Sequence, residues 1–496
     1  MTKQAPHGFP LLPLLDAGIP AVLLKLLQQE GVPTEPLTVG EARGTFVLFD
    51  SRRNRFPSGL TTGQIAIDVA AVCASEPALV WLEKHPGRSI RKLWQVGPWQ
   101  AGEEVAVVDR RQLRERVVSE LRAAIEAAGG VWMRTAAYPA PYQTAANFRF
   151  DHDAYVASDF DAVLEAIAGY EAMTSHFVCA STHEAYPETL ARLRGLDVGS
   201  HGFRHHTYRT RRENVTNIAF GIARLVHHGL NPGGFAAPLG RYNADLAAAV
   251  AELGISHTSE FAAAYDDLPF FAAVGDVVQV PIHPVCLGIV LEAAVAADDS
   301  ELGRRAAEAT AEHFIAVARE KHAAGLPIFL YGHPDGRLGR HPEILRRTLA
   351  AIDSLPQVWK VTLSEFQRWW RARAAAKWQL YRTTSGYEIR SVVTSPGYAT
   401  AIEWTTTAGK AKFALSESGR TTIPIRPEFA PHMGVDRALP VGECPSRGVR
   451  SSLKRYLDWE FETPLDEIDT HEWRGWMKRT LRQIRRRPPL TTGAAR

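Results

Sequence analysis

Short apolar runs alternate with amphipathic segments through the middle of the chain. The apolar runs predict strands, and the segments between them, with apolar positions three and four residues apart, predict helices. The predicted strands cover residues 148–150, 176–180, 197–200, 234–237, 277–281 and 328–331. Strands that alternate with helices are typical of βαβ units, so this pattern predicts an α/β region with a parallel sheet or a barrel.

The flanking regions follow other patterns. Residues 1–142 predict a separate α/β domain, with helices at 19–29, 62–73 and 111–128 and strands at 45–49 and 105–108. A proline-rich stretch at 138–142 predicts a boundary, which assigns residues 143–374 to the central domain. Residues 375–496 predict a β-rich domain, because alternating segments recur at 387–394, 399–406 and 412–415. This last domain ends in a tail rich in arginine and tryptophan, which predicts a basic amphipathic helix.

Composition limits the choice of function only at a coarse level. The 496 residues carry a formal net charge of +3, which is too small to support a nucleic-acid partner on charge alone. Four scattered cysteines argue against a disulfide framework and against a cysteine zinc site.

The first residues lack the pattern of a signal peptide, and no apolar stretch is long enough to span a bilayer, so we expect a cytoplasmic protein. The basic tail suggests peripheral contact with an anionic membrane, although a solvated helix, or one docked on the protein itself, fits the pattern at least as well. The sequence does not indicate the oligomeric state.

Polar side chains follow three of the predicted strands. Asp151 and Asp153 come at the end of the first strand, His201 and His205 follow the third, and His333 follows the last. In a (β/α) barrel, functional side chains emerge at the carboxyl ends of the strands. We therefore expect these residues to be neighbours on one rim.

His201 and His205 are candidate metal ligands. With one acid they would supply three protein ligands to zinc or a similar ion and leave one position open for water or substrate. An isolated pair of histidines four residues apart is more often a surface pair on a helix. Here the pair follows a predicted strand and is flanked by small residues, Gly199, Ser200 and Gly202, which favours the metal site.

Asp151, Asp153 and His333 are candidates for proton transfer or metal binding. Residues two apart on an extended strand point the same way, so one aspartate can bind a metal while the other handles a proton. A pair of this kind also closes many strands as an ordinary turn. His333 can act as a general acid toward a leaving amine, but alone it would be taken as a turn histidine before Pro334.

Four motifs in order resemble the polysaccharide deacetylase family, which has the NodB homology domain and is also called carbohydrate esterase family 4. They are Phe150-Asp151-His152-Asp153, Gly199-Ser200-His201-Gly202-Phe203-Arg204-His205, Ala237-Pro238-Leu239-Gly240 and Tyr331-Gly332-His333. The resemblance covers roughly residues 147–371. It implies a distorted (β/α) barrel that holds a divalent metal ion, with zinc expected, and hydrolyses an N-acetyl or related acyl amide on a sugar.

The resemblance also implies roles for single residues. Asp151 matches the catalytic base, His201 and His205 match the metal ligands, and His333 matches the catalytic acid. The second aspartate of the family directly follows the first, but His152 stands at that place. The third ligand is therefore Asp153 or His152, and an acid is favoured.

The arginine that orients the base in the family is replaced by Ala236 in this chain. Arg241, just beyond the following turn, is a candidate substitute. Without such an arginine the orientation of the base would be less controlled. The missing arginine and the irregular Asp151-His152-Asp153 leave a catalytically weakened carbohydrate-binding protein as one alternative to the deacetylase. A deformylase or small-amide hydrolase of the same fold is the other, and it would differ from the deacetylase in the shape of its pocket.

Overall fold

The computed structural model describes residues 13–15, 19–36, 46–53, 60, 64–74, 76–261, 265–286, 290–291, 300–393, 397–416 and 419–443. The predicted basic C-terminal helix lies outside these residues. Among the residues described, no helix has both the length and the apolar character needed to cross a membrane.

The N-terminal region is an α/β unit, as predicted. Its strands are β1 (Pro13–Leu15), β2 (Glu35–Pro36), β3 (Phe46–Phe49), β4 (Ile65–Asp68), β5 (Ser89–Val96), β6 (Trp99–Ala106) and β7 (Met133–Thr135). Its helices are α1 (Ala21–Glu30), α2 (Ala70–Cys73), α3 (Glu76–Lys84) and α4 (Arg110–Ala127). Strands β1 to β4 form a parallel sheet in the order β2-β1-β3-β4. The predicted helix over 62–73 is wrong, because residues 65–68 form strand β4 beside β3 and only the last four residues are helical.

The central region contains a nine-stranded sheet flanked by helices. Its strands are β8 (Thr144–His152), β9 (Thr174–Val178), β10 (Val198–Ser200), β11 (Gly234–Phe235), β12 (His257–Thr258), β13 (Phe270–Phe271), β14 (Val278–Gln279), β15 (Ile328–Gly332) and β16 (Val358–Lys360). Its helices are α5 (Ala157–Ala166), α6 (Ala180–His183), α7 (Pro187–Arg192), α8 (Arg211–His227), α9 (Ala244–Glu252), α10 (Ser300–Ala324), α11 (Pro342–Asp353) and α12 (Leu363–Ala375). Short helical turns cover Glu171–Met173, Pro238–Gly240 and Pro334–Leu338.

The central sheet curls into a distorted (β/α) barrel, which confirms the predicted fold class. Its strands follow the order β13-β14-β12-β11-β10-β9-β8-β15, with β16 also paired to β8, and every pair except β13 with β14 is parallel. The His283 amide, beyond β14, donates to the Phe329 carbonyl in β15 at 2.7 Å. This bond links the segment after β14, near one end of the strand order, to β15 at the other end.

The C-terminal region is β-rich, as expected. Its strands are β17 (Lys377–Arg382), β18 (Gly386–Val393), β19 (Ala401–Thr405), β20 (Lys410–Ala414), β21 (Arg420–Pro424) and β22 (Gly442–Glu443). Two three-stranded sheets, β17-β18-β21 and β20-β19-β7, share one apolar core. Strand β7, which precedes the barrel in sequence, is thus part of a C-terminal sheet, and β22 pairs with β5. The predicted domain limits at 142 and 374 stay predictions.

A buried ionic network joins the three regions. The Arg114 guanidinium on α4 contacts Glu30 at 2.6 Å and Asp266, in the loop before β13, at 2.8 Å. Glu30 also pairs with Arg134, which contacts Glu403 of the C-terminal region at 2.6 Å. Glu30 and Asp266 have no solvent exposure, so each charge depends on its partners for stabilisation.

We predict that Asp266→Ala destabilises the protein by about 3–5 kcal/mol, because it leaves the buried Arg114 guanidinium without one of its two carboxylates. Denaturant unfolding followed by tryptophan fluorescence measures this change. Glu120→Ala, at an exposed position of the same helix, is the matched control and should stay within about 0.5 kcal/mol of the parent. Equal stabilities of the two variants would contradict the role given to the network.

Candidate metal centre

Strand β8 positions the acidic side of the site. It is buried along its whole length, between β9 and β15. Phe148 packs its ring against Phe314 of helix α10, whereas Arg149, one residue on, contacts the Ser259 carbonyl. Because side chains alternate along a strand, Asp151 shares the face of Arg149. Asp151 therefore lies on the face of β8 opposite to the one that Phe148 packs against helix α10.

Small residues position the two histidines. Gly199 lies against the Phe177 ring, where an added Cβ would come within 2.3 Å of a ring carbon. Gly202 has φ +82°, a left-handed conformation that turns the chain directly after His201. Asn217 of helix α8 then fixes the following loop, since its side chain accepts from the Arg204 amide at 2.7 Å and donates to the Arg204 carbonyl at 3.1 Å. The loop brings His205 back toward His201.

Asp153, His201 and His205 converge on one point. Asp153 Oδ1 lies 3.2 Å from His201 Nε2 and 3.2 Å from His205 Nε2. The three candidate ligand atoms lie within 4.8 Å of one another. The other nitrogen of His201, Nδ1, contacts the Ala236 carbonyl at 2.8 Å. If Nδ1 carries the proton there, Nε2 presents a lone pair toward the cluster, the form in which imidazole binds a metal.

The chemistry of this donor set fits a divalent cation. Among the described residues, Asp153 Oδ1 and His205 Nε2 are buried and lie 3.2 Å apart, but neither makes a hydrogen bond of good geometry. Two imidazoles and one carboxylate are ligands that zinc accepts, and three protein ligands leave a position for water or substrate. Burial alone would raise the pKa of Asp153, but the nearby His333 and His205 outweigh it and hold the pKa well below its usual range. The carboxylate is therefore ionised, as a metal ligand must be.

His152 lies on the opposite side of β8 from this cluster. Its Nε2 is 3.0 Å from His176 Nδ1, and its ring packs against Phe160. Burial lowers the pKa of His152 well below its usual value. Of the two alternatives for the third ligand, Asp153 is the residue beside the histidine pair.

Arg149 is the arginine that contacts Asp151. Its Nη2 donates to Asp151 Oδ2 at 2.5 Å, and its guanidinium lies 4.9 Å from the centre of the Tyr331 ring. Sequence reasoning missed this residue and looked to Arg241, whose backbone carbonyl accepts from the Thr207 hydroxyl. The sequence did contain a signal for Arg149, because it is two residues from Asp151 on one strand and therefore shares its face.

Glu260 is a second residue that sequence reasoning missed. Its carboxyl accepts a hydrogen bond from the Ala237 amide, so it ties the segment after β12 to the turn that follows β11. Burial raises the pKa of Glu260 to about 8. No motif in the sequence singles it out.

His333 lies beside the cluster. Its Nε2 is 3.5 Å from Asp153 Oδ2, whereas the contacts of His201 and His205 with this carboxylate are to Oδ1. Its Nδ1 is 3.1 Å from the Cys286 thiol. Burial lowers the pKa of His333 to about 4. The structure thus brings Asp151, Asp153, His201, His205 and His333 to one end of the barrel.

Comparisons with known proteins address the central region. Residues 141–257 match the model of the polysaccharide deacetylase family. A search of the curated proteins finds no match to the chain.

Three solved structures are similar to about half of the chain. A "putative polysaccharide deacetylase" from Mycobacterium smegmatis is 21% identical, with 48% of this chain and 95% of that one covered and a TM-score of 0.40. A "probable Polysaccharide deacetylase" from Pseudomonas aeruginosa PAO1 is 15% identical, with 46% and 91% covered and a TM-score of 0.38. The Puue allantoinase is 15% identical, with 47% and 92% covered and a TM-score of 0.39.

The family match falls on the segment that carries the first two motifs, from β8 to the histidine pair, and continues through the turn after β11. The predicted resemblance is therefore confirmed, and it is the central region of the chain that matches the polysaccharide deacetylase family.

Proposed function

We propose that the protein is a metal-dependent hydrolase that removes an N-acetyl or related acyl group from a sugar of a polysaccharide or glycan precursor. The observation that carries the proposal is the convergence of Asp153, His201 and His205, with a second carboxylate, Asp151, two residues before Asp153 at the end of β8. The family match over residues 141–257 supports an acylated carbohydrate as the substrate class.

Asp153, His201 and His205 would hold the ion, for which zinc is the expected identity because of its preference for nitrogen and oxygen ligands. When bound, such an ion supplies a Lewis acid and makes a water molecule more acidic. His201 directly follows β10, His205 lies in the loop after it and Asp153 directly follows β8, so the folded barrel preorganises the three side chains.

Asp151 is the proposed general base. Arg149 holds one oxygen of its carboxylate, which leaves the other, Oδ1, buried and without a hydrogen-bond partner among the described residues. That oxygen is therefore the one proposed to accept a proton from the attacking water. Arg149 acts here as a positioning residue, because it also donates to the Ser259 carbonyl and so ties Asp151 to the segment directly after β12.

His333 is the proposed general acid. It contacts Oδ2 of Asp153, whereas His201 and His205 contact Oδ1, so it lies beside the metal position and outside the proposed ligand set. Because burial lowers its pKa to about 4, most of the imidazole is neutral near pH 7, and it is the protonated fraction that can give a proton to the amine as the amide bond breaks.

One argument for the alternative of a weakened carbohydrate-binding protein was the missing arginine at position 236. The contact between Arg149 and Asp151 supplies the missing interaction and favours the hydrolase. A deformylase or small-amide hydrolase would use the same residues, and release of formate instead of acetate from an acylated substrate panel would identify it.

We predict that the purified protein binds one zinc ion and that His205→Ala weakens zinc binding by at least about 100-fold, since it removes a direct ligand. Competition with a chromogenic chelator measures the affinity. His227→Ala, which removes an exposed histidine of helix α8, is the matched control and should bind like the parent. Zinc binding that is unchanged in His205→Ala would contradict the proposed ligand set.

We predict that variants of the two aspartates differ in their zinc content. Asp151→Asn should retain zinc but lose about 10²–10⁴-fold in kcat for acetate release, because it removes the general base. Asp153→Asn should lose both zinc and activity. Full activity in Asp151→Asn, with its metal in place, would show that the base lies elsewhere.

We predict that Arg149→Lys lowers kcat by roughly 10-fold or more, because an ammonium cannot reproduce the two directed contacts of the guanidinium. Arg241→Lys should retain the parent kcat. Steady-state acetate release decides between them, and circular dichroism checks that both variants are folded. A loss of kcat in Arg241→Lys alone would instead identify Arg241 as the arginine that orients the base, as first expected from the sequence.

A further inference from the structure

The hairpin of β5 and β6 belongs to the N-terminal region but packs on the barrel. Trp94, Val96, Ala101 and Val105 share one buried apolar cluster with Phe148 and other core residues of the barrel. The hairpin lies outside the segment that matches the family model, residues 141–257. Its inner face is nevertheless fixed against the central sheet.

Two adjacent glutamates on β6 have different surroundings. Glu104 is exposed and accepts from the Ser89 hydroxyl at 2.9 Å. Glu103, one residue earlier and thus on the other face of the strand, accepts from the Cys286 amide at 3.3 Å. Burial raises the pKa of Glu103 to about 8, so near neutral pH it is mostly a neutral acid whose carbonyl oxygen still accepts this bond.

Cys286 connects Glu103 to the site. Its thiol is 3.1 Å from His333 Nδ1, and the opposite nitrogen of the same ring is 3.5 Å from Asp153. A thiol can either donate or accept a hydrogen bond, so it can engage Nδ1 in either tautomer of the ring. The orientation of His333 therefore depends on where Cys286 is held.

We propose that Glu103 is a positioning residue of the active site: it fixes the backbone of Cys286, whose thiol orients the His333 ring toward the metal position. The hairpin of β5 and β6 is thereby part of the catalytic unit. The role of His333 as a general acid rests on the proposed function. The contacts that link Glu103 to Cys286 and Cys286 to His333 do not depend on it.

Three hairpin variants of the full-length protein test the chain of contacts without any substrate. Glu103→Ala removes the acceptor, Glu103→Gln keeps an oxygen acceptor of the same length, and Glu104→Ala is the matched control on the outer face. Each is treated with iodoacetamide and, separately, with diethylpyrocarbonate, and peptide mass spectrometry follows the labelling of Cys286 and of His333.

We expect Glu103→Ala to label several-fold faster than the parent at both residues, because both lose their fixed positions. Glu103→Gln and Glu104→Ala should label like the parent. If Glu103→Ala also labels like the parent, Glu103 does not position this pair and the proposal is wrong.

Acetate release then tests the consequence for catalysis. Glu103→Ala and Cys286→Ala should each lower kcat by roughly 10-fold with little change in KM, because the ring of the acid is misplaced while substrate still binds. Cys286→Ser, which retains a group that donates and accepts, should recover part of the loss. A fall in zinc content that accounts for the loss, or a change in KM alone, would contradict positioning.

If the parent releases no acyl group from any substrate, the proposed function fails, and the labelling experiment still decides whether Glu103 positions Cys286 and His333.

Discussion

The alternation of side chains along strand β8 is the constraint on which the site depends. This strand is buried on both faces and pairs with β9, β15 and β16, so its register is fixed from both sides. One face carries the aromatic residues that pack against the helices, and the other carries Arg149 and Asp151. A shift of β8 by one residue would exchange its two faces and place the charged side chains of Arg149 and Asp151 among the apolar side chains of the helices.

The remaining groups reach the same point because parallel strands end at one edge of a barrel. His201 follows β10 and His333 follows β15, and each lies within 3.5 Å of Asp153. The regions outside the barrel take part in its support. The network around Glu30 and Asp266 joins the three regions through buried charges, and the hairpin of β5 and β6 brings Glu103 to within hydrogen-bond distance of Cys286.

The sequence predicted the parts of this arrangement that depend on local pattern. The strands that carry Asp151 or directly precede His201 and His333 were recognisable as apolar runs, and their alternation with helices predicted a parallel sheet or barrel. The helix expected over 62–73 was wrong, because a short half-exposed strand beside β3 is stabilised by pairing that no local pattern reveals.

Contacts between distant residues could not be predicted in the same way. The family pattern directed attention to position 236 and then to Arg241, but the guanidinium that bonds to Asp151 comes from β8 itself. Strand alternation would have indicated Arg149. Nothing local links Glu103 to Cys286, which are 183 residues apart, since only packing of the hairpin on the barrel brings them together.

The central claim is that Asp153, His201 and His205 form a metal centre. The most direct measurement is X-ray diffraction from crystals of the zinc-loaded protein, recorded on both sides of the zinc absorption edge. We predict a single anomalous peak, from a zinc ion bound by one carboxylate oxygen and two imidazole nitrogens of these three residues. A peak elsewhere, or no peak at this position in protein that carries zinc, would contradict the account.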